Sequence, residues 1–328
     1  GQIVASAFRN LIDSTGNSLK NGIFTPQGVD NPAASSTEGY FLGTDAGSLG
    51  RLVLRRVSNP GGVPIMSANI YLNVLTTSQP ITVRHRGNIN GVNGRLDAID
   101  DRLMMAQFRN GSIWTTHNIS VNNEGTIDAP RTRDGIRWYE ITDVTTNAPT
   151  LRQAGTLFTA TTTNTEDERN YFIPSLAVSG QGNTLIGGSI AGTNEYVNAA
   201  IAYRLATDPL GALQAPLLIT TSPAPYNPSS DSGNLAARRR WGDYSFTSVD
   251  PCDDMTLWTV QQFTDAANSY GLRVAKIPAP PPAAPAASNP PSIASGLSSI
   301  NVTISGLSSA DGAGFFDPGD TYSCRLRA

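Results

Sequence analysis

The chain has 328 residues, a net charge of −3 and only 15% charged residues, so it is long enough for one large or two ordinary domains with ample core. That charge provides no field to hold a polyanion, which argues against RNA or DNA as a partner. No apolar run reaches the roughly 18 residues that a membrane span needs. Gly (31) and Pro (22) are abundant, and Thr, Ser and Asn crowd positions where helical proteins carry Ala, Glu, Lys and Leu. The composition predicts an all-β chain.

The first predicted unit is GYFLGTDAGSLGRLVLRRV, Gly39 to Val57, two apolar strands around a short turn. RLDAIDDRLMMAQF, Arg95 to Phe108, reads as the same plan with an acidic turn, and PSLAVSGQGNTLIGGSI, Pro174 to Ile190, repeats it with SGQGN as the turn. DGIRWYEITDV and VNAAIAYRLAT follow as further strands. His85 and His117 stand apart from each other and from any ligand pattern, so metal ligation has little support there.

The densest stretch is RRRWGDYSFTSVDPCDDMTLWTV, Arg238 to Val260. It is predicted to form strand YSFTSVD, turn Pro251 to Asp254, and strand MTLWTV. Ser248, Asp250, Thr256 and Trp258 resemble, in stretched form, the Asp-box turn of sialidase-type propellers. The chemistry is that of a capped turn, in which Asp and Ser side chains satisfy N–H groups that no ladder partner reaches. The motif residues Trp241, Asp243, Ser245, Ser248, Asp250, Thr256 and Trp258 are therefore read as structural, with Asp250 accepting bonds from the turn and Trp258 buried. Trp114, Trp138, Trp241 and Trp258 are expected to pack between sheets. Strand–turn–strand units recurring along the chain predict propeller blades over residues 1–277, with a sandwich of short strands as the competing all-β architecture.

KIPAPPPAAPAASNPPS, Lys276 to Ser292, is predicted to be an extended polyproline spacer without ladder hydrogen bonds, with the linker proper at 278–292. Beyond it, Ile300, Val302 and Ile304 alternate onto one face, and residues 293–328 read as part of an immunoglobulin-like module. A full sandwich of that kind takes about 100 residues. The two cysteines, Cys252 and Cys324, leave one disulfide, two thiols or bridges to other segments open.

Several longer pieces carry a resemblance: DGIRWYEI (Asp134–Ile141), IPSLAVSGQGNTLIGGS (Ile173–Ser189), YRLATDPLG (Tyr203–Gly211), RRWGDYSFTSVDPCDDMTLWTVQQF (Arg239–Phe263) and LRVAKIP (Leu272–Pro278). In order and spacing they are similar to bacterial secreted β-propeller proteins. The resemblance implies a propeller at the cell surface or outside the cell, with immunoglobulin-like or sorting modules behind it. The cysteine here follows Pro251 rather than the second Asp of the pair, so a family disulfide is not carried over.

A non-enzymatic, extracellular structural or adhesive unit is the function this reading favours. Its partners would be copies of itself in a head-to-tail filament, other segments of the same large polypeptide, or surface glycans. The alternative is a sialidase-like or other glycoside hydrolase, or a carbohydrate-binding propeller. Tyr139–Glu140 and Glu195–Tyr196 are its candidate nucleophile pairs, and Arg238, Arg239 and Arg240 its candidate acid-sugar ligands. Neighbours on a strand point to opposite faces, which weakens both pairs. No cofactor is expected; Asp250, Asp253 and Asp254 offer hard oxygen donors that suit calcium, but lack an EF-hand pattern.

Overall fold

The computed structural model describes residues 23–32, 36–59, 62–89, 91–165, 168–228 and 239–278, together with four short strands further on. Among the described residues the architecture is all-β, a β-propeller whose antiparallel sheets follow one another in chain order. The first sheet holds β1 (Ile23–Gly28), β2 (Glu38–Asp45), β3 (Ser48–Ser58), β4 (Ile65–Met66) and β5 (Ile70–Asn73). The second is a meander of β6 (Met105–Arg109), β7 (Ser112–Val121), β8 (Arg133–Thr142) and β9 (Thr150–Leu157), and the third one of β10 (Asn170–Val178), β11 (Thr184–Gly192), β12 (Glu195–Arg204) and β13 (Leu217–Leu218). The fourth contains β14 (Phe246–Val249), β15 (Leu257–Ala266) and β16 (Ser269–Ile277). No described helix is long and apolar enough to cross a membrane.

Turn chemistry explains the meanders. Asn110 and Gly111, both with positive φ, close β6 onto β7 as the left-handed pair that matches strand twist. Asp45 turns β2 into β3 by accepting the Gly47 N–H at 2.9 Å. The middle sheets have apolar side chains on both faces, because each is covered by a neighbour on either side. Tyr40, Leu42, Leu52 and Leu54 of the first sheet pack on Ile113, Tyr139 and Ile141 of the second and on Leu103, just before β6. Trp114, Ile136 and Trp138 meet Leu176, Val178, Ile186 and Ala202 of the third, with the two indoles stacked at 6.0 Å. Burial on this scale stabilises by roughly 25 cal/mol for each Å² of apolar surface removed from water.

The innermost strands line the axis. β10 lies against β6 and β14, and Asp30, just after β1, forms a parallel bridge with Gln107 of β6.

Two expectations are corrected here. Residues 95–108 do not form a hairpin, since only Met105–Arg109 is a strand. Asp97 and Asp100 accept the N–H groups of Ile99 and Arg102 at 2.9 and 3.0 Å, and Ile99 adopts φ 64°, so local side-chain caps replace ladder bonds. The Pro-rich stretch is also not free of ladders. Lys276 and Ile277 belong to β16, and β17 (Ala286–Asn289), which holds no proline, pairs with β18 (Thr303–Ser305). A further pair, β19 (Ser308–Ala310) with β20 (Gly314–Phe315), completes the described strands. The immunoglobulin-like module assigned to residues 293–328 otherwise lies outside the described residues, as do Arg238 and Cys324. Cys252 is disulfide-bonded.

Candidate functional site

The sequence motif Ser248 to Trp258 folds as one capped turn. β14 and β15 pair in register from Phe246↔Val260 to Val249↔Leu257, with Pro251–Asp254 between them. Asp250 Oδ1 accepts the Cys252 N–H at 3.0 Å and Oδ2 accepts the Trp258 indole N–H at 3.0 Å. Asp253 accepts the N–H groups of Met255 and Thr256 and the Thr256 hydroxyl at 2.6 Å. These bonds hold the Asp253 carboxyl below its ordinary range, although its partial burial works the other way. Trp258 is half-buried rather than buried: one face lies under the Lys276 ammonium, 5.5 Å from the ring centre. The three carboxylates considered for calcium are spent on this turn and, for Asp254, on Arg109. No group of three or more His, Cys, Asp or Glu suited to a metal occurs among the described residues.

The remaining motif residues disperse. Trp241 is buried edge-on against Tyr226 and donates to Ser189 Oγ at 2.9 Å. Asp243 takes the Arg240 guanidinium. Ser245 donates to the Ile173 carbonyl at 3.0 Å, and Ser248 lines the axial cleft. Neither nucleophile pair forms a couple. Tyr139 bonds His117 Nε2 at 3.0 Å inside the core, while Glu140, on the opposite face, accepts Ser112 Oγ at 3.0 Å and Arg152 at 3.2 Å. Glu195 pairs with Arg169 at 2.6 Å, and Tyr196 lies under Arg86. The arginine run is no surface cluster either, because Arg239 is 1% exposed and Arg240 is committed to Asp243 and Asp97.

A different constellation occupies the axis. A cleft of about 550 Å³ runs between β1, β6 and β14. Two carboxylates from different sheets line it: Asp30 is exposed, and Asp254, in the β14–β15 turn, is ion-paired to Arg109 at the end of β6. Gln107 lines the same wall and accepts the Val178 N–H at 2.7 Å. At one end the exposed Tyr244 is shared with an open pocket of about 410 Å³ that also holds Tyr226, Tyr270, Arg240 and Asp243. Sequence reasoning gave no role to Asp30, Gln107, Arg109 or Tyr244: Tyr244 sits in the Arg238–Val260 stretch and Gln107 in the Arg95–Phe108 unit without being singled out, and the four meet only through the packing of the sheets.

No family model matches the chain, and no curated protein matches it. Solved structures are similar to it. A GH43_12 retrieved from a capybara gut metagenome is 13% identical, with a TM-score of 0.33 over 73% of this chain and 36% of that one. A xylan β-1,4-xylosidase from Bacillus halodurans C-125 is 12% identical, with a TM-score of 0.33 over 78% and 41%. A Penicillium chrysogenum α-L-arabinanase, solved with arabinobiose, is 13% identical, with a TM-score of 0.35 over 81% and 78%. The chain thus spans well under half the length of the first two. At these values the likeness is one of architecture. The printed names of two of them are those of a xylosidase and an arabinanase, which runs against the expectation of a non-enzymatic structural or adhesive unit, and that expectation is not carried further.

Proposed function

We propose that the chain acts on a glycan, holding a sugar chain in the axial cleft and cleaving a glycosidic bond there. The observation that carries this reading is the placement of two carboxylates, Asp30 and Asp254, on one cleft that the exposed Tyr244 also lines. Glycoside hydrolysis needs two such groups: one carboxyl protonates the leaving oxygen, and the other acts on the anomeric carbon or on a water. Arg109 orients Asp254 and compensates its charge, and Asp30 is exposed to the same cleft. Tyr244 and Tyr270 offer ring faces to the apolar side of a sugar.

We propose that this work is extracellular. The disulfide at Cys252 supports an oxidising compartment, as does the resemblance to secreted bacterial propellers.

The test is turnover of a panel of aryl glycosides and polysaccharides by the full chain and by Asp30→Asn. The expected result is turnover by the wild type that falls at least about 100-fold in the variant, with unchanged circular dichroism. Turnover that survives the substitution, or a wild type inert on the whole panel, removes the reading.

A further inference from the structure

The open pocket that shares Tyr244 with the axial cleft crosses the whole width of the fourth sheet. Tyr244 enters it from the segment before β14, Gln262 from β15 and Tyr270 from β16. Neighbouring strands lie about 4.8 Å apart, so three of them give a floor roughly 10 Å across, the length of a disaccharide. Tyr244 and Tyr270 are 59% and 57% exposed. Two aromatic rings left this open on one pocket suit a ligand that brings an apolar face to each.

Between the rings sits an unspent amide. Gln262 is half-buried, and its side chain makes no hydrogen bond to any described residue. Its Oε1 fills the space that a side chain at position 242 would need, because a Cβ added to Gly242 would collide with it. Glycine there lets the amide stay in the pocket. A primary amide carries two donors and an acceptor with two lone pairs, the complement of adjacent sugar hydroxyls.

The charges of the pocket cancel. Arg240 and Asp243 are the charged side chains among its described lining residues. Arg240 gives Nη2 to both carboxylate oxygens of Asp243, and its Nη1 lies 3.7 Å from Asp97. An acidic sugar would have to break that pairing, whereas an uncharged one leaves it whole.

We propose that this pocket is a subsite for about two units of an uncharged polysaccharide whose chain continues past Tyr244 into the axial cleft. The proposal rests on the glycan reading and names its substrate class: a neutral polymer that occupies both concavities, not an acidic or short sugar.

The experiment is affinity electrophoresis of the full chain carrying Asp30→Asn, so that the ligand stays whole. The gels contain dextran, laminarin, arabinan, glucomannan or polygalacturonate. At least one of the four uncharged polymers is expected to retard the chain, and to do so more strongly than polygalacturonate. Tyr270→Ala and Gln262→Leu should each weaken that retardation at least tenfold in Kd, with unchanged circular dichroism. The hexasaccharide of the same polymer should compete, and its monosaccharide should not at equal concentration. Retardation by none of the uncharged polymers, stronger retardation by polygalacturonate, equal competition by the monosaccharide, or indifference to either substitution would overturn the proposal. Failure of the cleavage reading shows separately, as a wild type that turns over no glycoside while the polymer is still held through Tyr270 and Gln262.

Discussion

At Asp250 a single side chain closes a turn and seats an indole. Its two carboxylate oxygens take the Cys252 N–H and the Trp258 Nε1–H, while its own N–H and carbonyl reach Thr256 and Asp254 at 2.8 and 2.9 Å. Asp250→Ala keeps the backbone bonds and strands two half-buried donors. The expected loss is about 1–3 kcal/mol in urea unfolding, with the tryptophan emission shifted to the red as Trp258 loosens over Lys276. A loss within the error of the measurement would mean that water replaces the carboxylate and that the turn is held by its backbone alone. Turnover should be unaffected, since Asp250 lies outside the axial cleft, whereas Asp254, four residues on, lines it.

At the scale of the element, β10 departs from a regular ladder. Its register against β11 shifts between Phe172 and Ser175, and Ile173 adopts φ 50°, a conformation a β-branched residue rarely takes. Two side chains from outside the sheet hold that bulge. Asn118 of β7 accepts the Ile173 N–H at 2.7 Å and donates to the Ala98 carbonyl at 2.6 Å, and Ser245 bonds the Ile173 carbonyl. Asn118→Leu leaves two buried backbone groups unsatisfied, with an expected cost of about 2–4 kcal/mol in urea unfolding; a near-neutral substitution would show that the bulge needs no outside support.

None of this was legible in the sequence, and the reason is range. The hairpins at 39–57, 174–190 and 246–260 could be read because each turn is capped by residues a few positions away, as Asp45, Ser179 and Asp250 are. Residues 95–108 show the same alternation, yet whether an aspartate caps a loop or closes a hairpin depends on what the neighbouring strand offers. The pairing of Arg109 with Asp254, 145 residues apart, leaves no local pattern. The most informative local signal that was passed over is Asn110-Gly111, which closes β6 on β7.

For the whole molecule, two buried groups set the pH window of the fold. His117 is 0% exposed and burial lowers its pKa from 6.5 to about 4. Its neutral form is the folded one, so its contribution is complete above pH 6.5 and is lost as pH falls through 4, amounting to at most about 3 kcal/mol. Asp134, also 0% exposed, is raised well above 3.8 by burial, with the Ile81 N–H acting against the rise. Its contribution is present below pH 3.8 and is lost as pH rises through the raised folded value. Thermal midpoints against pH should therefore flatten on the acid side for His117→Gln and on the neutral side for Asp134→Asn. Slopes identical to wild type would show that neither group sets the limit.

The seams between sheets are not alike. The first and second sheets, and the second and third, join through large apolar clusters. The third and fourth share a small one, around Ala177, Leu185, Ile201 and Leu257, beside a file of hydroxyls and one amide: Ser245, Ser175, Thr247, Thr259 and Gln261, linked at 2.7 to 3.0 Å. Apolar contact loses strength in the cold, while hydrogen bonds between fixed partners are enthalpic and yield to heat. Warming should therefore release β14 to β16 and the wall they give the cleft before the other sheets part, whereas deep cooling should loosen the apolar joints first and leave that wall in place.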